Sequence, residues 1–104
     1  MSVTSVYAVF ANAEEAERIG RAMVEERLAA CVNILGPIRS IYRWQGKIET
    51  AEEVAAIFKT HHWNGDPLIE RIAELHSYEV PCIESWPINK ILRSYADWVE
   101  DNSR

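Results

Sequence analysis

Residues 30–60 read as a single long β-hairpin whose arms meet at Trp44-Gln45-Gly46-Lys47. Along the first arm, Ile38, Ser40, Tyr42 and Trp44 alternate onto one face, while Arg39, Ile41 and Arg43 take the other. Bulky groups stand on both faces, which predicts that both meet something other than water. An arm from Ala30 to Trp44 extends roughly 50 Å at about 3.3 Å per residue. A compact domain of this length is only about 35 Å across. The ribbon is therefore predicted to overhang its own globule. An overhanging strand with aromatic side chains and free edge groups aggregates unless another copy covers it. The expectation is a closed oligomer.

The remaining segments assemble around that ribbon. Val3 to Phe10 is β-rich and mostly apolar, as suits a central strand buried on both faces. Asn12 offers an N-cap, and Glu15 three residues later completes a capping box. From Ala13 to Leu28, Ale-type spacing is helical: Ala16, Ile19 and Met23 form one stripe, with Val24 and Leu28 beside it. Gly20 within this helix allows close approach to the sheet. Gly36-Pro37 interrupts the first hairpin arm, because proline cannot donate a ladder hydrogen bond and glycine invites a bulge. Propensity alone makes Glu49 to Ala56 helical. The run Val54 to Phe58 lacks helical spacing, however, and the turn needs a partner strand, so the second arm is read as strand.

His61 to Gly65 reads as a loop, Asp66 as a cap and Pro67 as the start of a short helix with Leu68, Ile69, Ile72 and Leu75 on its apolar face. His76 to Pro81 breaks it and leads into a strand from Cys82 to Trp86, ended by Pro87. Ile91, Leu92, Tyr95, Trp98 and Val99 predict a last amphipathic helix that frays from Asp101 to Arg104. The order is β-α-β-β-α-β plus a terminal helix, an α+β ferredoxin-like sandwich forming one domain over residues 1–104.

Charge and cysteine content exclude several functions. A net charge of -5, with lysine and arginine scattered, disfavours nucleic-acid binding. No run approaches transmembrane length, so no membrane partner is expected. Val6 to Ala13 imitates a signal-peptide core and cleavage site, but it lacks a basic leader and Glu14-Glu15 follow at once; a core strand explains it better. Cys31 and Cys82 form no CxxC and read as buried, inert thiols of a reducing compartment. A cytoplasmic protein is expected.

Four stretches resemble the CutA family of divalent-cation tolerance proteins: residues 26–33 (ERLAACVN), 40–49 (SIYRWQGKIE), 54–60 (VAAIFKT) and 76–81 (HSYEVP). Pro87-Ile88, Tyr95 and Trp98 fit the family's ending. The resemblance implies a non-enzymatic homotrimer of ferredoxin-like protomers with hairpins crossing neighbouring subunits. It also implies weak binding of Cu(II) or another divalent cation, or of a small ligand, at inter-subunit clefts. Two positions depart from the family. Ser77 replaces the usual proline of His-Pro-Tyr-Glu-x-Pro, with Cys82 where a glutamate often follows. Phe10 stands where some members carry a cysteine linked to copper; His76 and Glu79 carry over. The rival reading is a trimeric signalling module like the PII nitrogen regulators, acting through a protein partner that the residues do not name. Those carry a long effector loop where this chain has only Gln45-Gly46.

The candidate metal ligands are His76, Glu79 and Cys82. Imidazole suits Cu or Zn and the carboxylate adds charge, but two ligands from one chain fall short of the usual three or four, leaving Cys82, water or a neighbour to complete the set. The blander reading has His76 and Glu79 bonded to backbone in a tight turn. Tyr42, Trp44, Lys47, Glu53 and Tyr78 are the candidate ligand cleft, with Arg43 or Lys47 holding an anion; the competing account is interface packing. Glu49, Glu52 and Glu53 otherwise read as a solvated strand face, and His61-His62 as a loop pair pointing to opposite sides. Catalysis has little support: no nucleophile triad or phosphate loop is recognisable, and Cys82 near His76 is a thin basis for a thiol enzyme.

Overall fold

A computed structural model describes residues 2–104. Its strands are β1 (Val3–Phe10), β2 (Cys31–Trp44), β3 (Lys47–His61) and β4 (Ile83–Pro87), and its helices are α1 (Ala13–Glu25), α2 (Gly65–Leu75) and α3 (Arg93–Asp101). The four strands form one antiparallel sheet in the order β2-β3-β1-β4, the ferredoxin-like arrangement expected from the element order.

Strand alternation divides the core into two unequal layers. Val6, Ala8 and Phe10 of β1, with Val54, Ala56 and Phe58 of β3, face Ala16, Ile19 and Met23 of α1 and Leu68 and Ile72 of α2. On the other face, Val3 packs with Ala30, Ala96 and Val99, so α3 covers one end only. The rest of that face carries the cleft described below.

The second hairpin arm is strand throughout, despite its helical propensity. Its residues pair on both sides, with β1 from Val54 to His61 and with β2 from Lys47 to Lys59. Paired backbone groups outweigh a propensity difference of a few tenths of a kcal/mol per residue. Gln45 (φ 50°) and Gly46 (φ 81°) make the two-residue turn, which needs positive φ at both positions to match strand twist. The bulge at Gly36 is present: the register slips between Ile34 and Gly36, and Gly36 has φ 97°. The principal extents are 45 × 26 × 22 Å, and at the far end of the hairpin Ile41 is 70% and Ile48 61% exposed.

Several boundaries differ from the sequence reading. Helix α1 ends at Glu25 rather than Leu28, because Arg27 turns left-handed (φ 62°) and the Leu28 and Arg27 amides donate to the Met23 and Val24 carbonyls. That is the helix-ending pattern usually made by glycine, here made without one. β3 continues through His61, His62–Asn64 is a 3₁₀ turn, and α2 starts at Gly65, which places Asp66 in its first turn rather than at its cap. Ile91 and Leu92 precede α3 instead of joining it. The predicted fray is also corrected at Ser103. This residue is 1% exposed, and its hydroxyl donates to the Val99 carbonyl and accepts from the His61 amide.

Candidate functional site

The cleft encloses about 660 Å³ on the sheet face that α3 leaves open. One wall is the hairpin: Ile38, Ser40, Tyr42 and Trp44 alternate along β2, and Glu53 stands opposite Ile38 on β3. Tyr7 and Val9 of β1 form the floor. The other wall is the segment from Ser77 to Cys82, which has no regular structure and is held by side chains.

Four groups pin that segment. His76 Nδ1 accepts from the Tyr78 amide at 3.0 Å, which leaves the hydrogen of the neutral ring on Nε2, donating to the Val9 carbonyl at 2.7 Å. The ring also stacks on Phe10, with centroids 5.2 Å apart. Glu15 accepts from the Ala11 amide at 3.0 Å and from the Ser77 amide at 2.9 Å, while Asn12 Oδ1 accepts from the Glu15 amide as the capping box requires. Burial alone would raise the Glu15 carboxyl, but these hydrogen bonds, with His76 nearby, outweigh it and hold it below its ordinary value. Finally, the Cys82 carbonyl accepts from the Val9 amide at 3.1 Å.

Within the cleft, the Tyr78 hydroxyl donates to Glu53 Oε2 at 2.7 Å. Burial first, then this bond and the Glu53 charge, push the Tyr78 hydroxyl well above its ordinary pKa. Glu53 is 8% exposed, so it is no part of a solvated face; Glu49 and Glu52 are exposed, Glu52 opposite Arg39. Cys82 is exposed and Cys31 half-buried, neither in a disulfide, which corrects the expectation of two buried thiols. Cys82 sits at the cleft instead of under a helix. Its thiol is nevertheless pushed up by partial burial and by Glu84 and Glu53.

Of the candidate cleft residues, Tyr42, Trp44, Glu53 and Tyr78 line the cavity, whereas Lys47 lies at the turn opposite Trp44, outside it. Arg43 alternates to the other face of β2. Of the candidate metal ligands, Glu79 and Cys82 line the cleft, while both ring nitrogens of His76 are engaged with backbone. Among the described residues no group of three or more His, Cys, Asp or Glu side chains gathers to hold a metal ion. A closed metal centre does not fit the residues of one chain. Sequence reasoning missed Tyr7, Val9 and Glu15; alternation from the Val6–Ala8–Phe10 row would have placed the first two on the open face. His61 and His62 do not diverge: the 3₁₀ turn brings their rings into a stack 5.1 Å apart.

Fold and site define a ferredoxin-like α+β protein with an aromatic cleft on its open sheet face. Residues 4–102 match the family of the CutA1 divalent ion tolerance protein. A divalent-cation tolerance protein CutA from Archaeoglobus fulgidus is 42% identical over 96 residues, covering 92% of this chain and 93% of its own. One from Thermus thermophilus is 46% identical over 90 residues, covering 86% and 87%. The crystal structure of CutA from Xylella fastidiosa superimposes with a TM-score of 0.96 at 35% identity, with 100% of both chains covered. The chain belongs to the CutA family. Its β2–β3 turn of two residues leaves no effector loop of the kind that the signalling alternative requires.

Proposed function

We propose that this protein is a cytoplasmic homotrimer that takes part in tolerance of divalent cations by binding rather than by catalysis, with its small-ligand clefts where chains meet. The observation that carries this reading is the projecting hairpin. Ile41 and Ile48 on one side and Tyr42 and Trp44 on the other are all more than two-fifths exposed in a single chain. Sister chains covering both faces would remove this apolar surface from water at roughly 25 cal/mol per Å². The printed names of the relatives supply the link to divalent cations. Against a thiol enzyme stands the raised Cys82 thiol, which keeps the nucleophilic thiolate scarce. The A. fulgidus structure is described as periplasmic; two unpaired thiols favour a reducing compartment for this chain.

A divalent cation such as Cu(II) would meet Glu79 and Cys82 at the cleft and be held weakly, with water or a neighbouring chain completing its shell, because His76 is committed to backbone. Sedimentation velocity with copper titration tests both parts. The expected mass is that of three chains of 11.9 kDa, with copper affinity lowered in Cys82→Ala and unchanged in His76→Gln. A folded, soluble single chain at micromolar concentration would end the trimer reading, and a loss confined to His76→Gln would end the ligand assignment.

A further inference from the structure

We infer that the cleft takes a small organic ammonium ion, with Glu53 as the counter-charge and Tyr42, Trp44 and Tyr78 as aromatic walls. This deepens, and rests on, the reading of the cleft as a ligand site.

Charge decides the sign of the ligand. Among the described residues, the charged side chains lining the cleft are Glu53 and Glu79, and no lysine or arginine lines it. The anion expected from Arg43 or Lys47 has no cationic partner here: Lys47 sits at the turn and Arg43 on the opposite face of β2.

Burial decides where the charge is needed. The Glu53 side chain is more than nine-tenths buried, and its hydrogen-bond partner among the described residues is a neutral phenol, Tyr78. A carboxylate withdrawn from water without a cation costs several kcal/mol. A positively charged ligand beside it removes that penalty. The aromatic rings add to the preference, since their faces are the negative end of the ring quadrupole. A desolvated cation over such a face gains about 2 kcal/mol.

Ligand type follows from what the cleft lacks. A metal ion needs several donor atoms at bonding distance, and the described residues gather no such set. Most of the lining is aromatic or aliphatic, and its volume of about 660 Å³ lies in the range of sites for small organic molecules. Alkyl groups around a charged nitrogen match apolar walls with one buried carboxylate.

Calorimetric titration of the intact protein with choline, its uncharged isostere 3,3-dimethyl-1-butanol and the anion 3,3-dimethylbutyrate tests the inference. Choline is expected to bind at least about tenfold tighter than the isostere, the ratio that a single cation–π contact supplies, with the anion weaker still. Glu53→Gln should abolish this preference, because its amide oxygen still accepts the Tyr78 hydroxyl but carries no charge. Tyr42→Leu should weaken choline severalfold and leave the isostere unchanged. Circular dichroism and sedimentation identical to the parent establish that both variants fold and assemble. If the isostere or the anion binds as tightly as choline, the ligand site stands and its cation preference is refuted. If none of the three binds, the ligand-site reading falls with it.

Discussion

Arg27 occupies a backbone conformation that costs an ordinary residue about 1 kcal/mol, at φ 62°. Its guanidinium explains the tolerance: Nε donates to the Arg104 carbonyl at 2.7 Å and Nη2 to the Asp101 carbonyl at 2.9 Å. One residue thus ends α1 and ties it to the end of α3. The two roles separate by substitution. Arg27→Gly loses the ties but relieves the backbone, and is expected to be close to neutral. Arg27→Ala loses the ties and keeps the strain, and is expected to be less stable than Arg27→Gly by about 1 kcal/mol. Urea unfolding of the two variants side by side checks the order; Ala at or above Gly in stability would show that the left-handed turn is not what matters.

At the scale of elements, the cleft depends on an irregular segment, residues 77–82, standing beside a rigid sheet. It carries no ladder of its own, so the bonds from Glu15, His76 and Val9 set its position. Glu15 links it to the N-terminus of α1, and its depressed pKa makes that link dependent on pH. The group is charged in the folded chain at pH values where the unfolded chain already takes up a proton. Its contribution is therefore fully present above the unfolded value near 4.5 and is lost as pH falls through the lower folded value. Glu15→Gln, with one acceptor oxygen for two amides, is expected to cost about 2 kcal/mol at pH 7. The variant should also show a shallower loss of stability below pH 4.5. Stability curves for the two proteins that run parallel from neutral pH to acid would dismiss Glu15 as the clasp.

For the whole molecule, the governing fact is shape. One axis is 45 Å against 26 and 22 Å for the others, and the hairpin supplies the excess. Its apolar tip has no partner within the chain, so substitution there should affect assembly and spare the fold. Placing aspartate at both Ile41 and Ile48 is expected to shift the protein from three chains to one in sedimentation while far-UV circular dichroism keeps its helix and sheet content. Each isoleucine is largely exposed in the single chain, and surface changes of this kind usually alter monomer stability by less than about 0.5 kcal/mol. An unchanged mass would mean that chains meet elsewhere.

The amino-acid pattern alone determined the element order, the long ribbon with its Gln45-Gly46 turn, the Gly36 bulge and the core rows of β1 and α1. These follow from periodicity and from backbone limits that a short window already contains. Four of the five cleft residues were legible for the same reason, because alternation along β2 places Tyr42 and Trp44 together. Only the tertiary structure decided what those side chains meet. Glu53 and Tyr78 are 25 positions apart, and Glu15 and Ser77 are 62 apart. No local rule pairs them, since each contact depends on how the finished sheet sets one segment against another. The same holds for His76, whose ring could face a metal or a carbonyl; packing against Phe10 and Val9 settled it. Spacing along a chain fixes which side chains share a face, whereas the docking of distant faces fixes which polar atoms find each other.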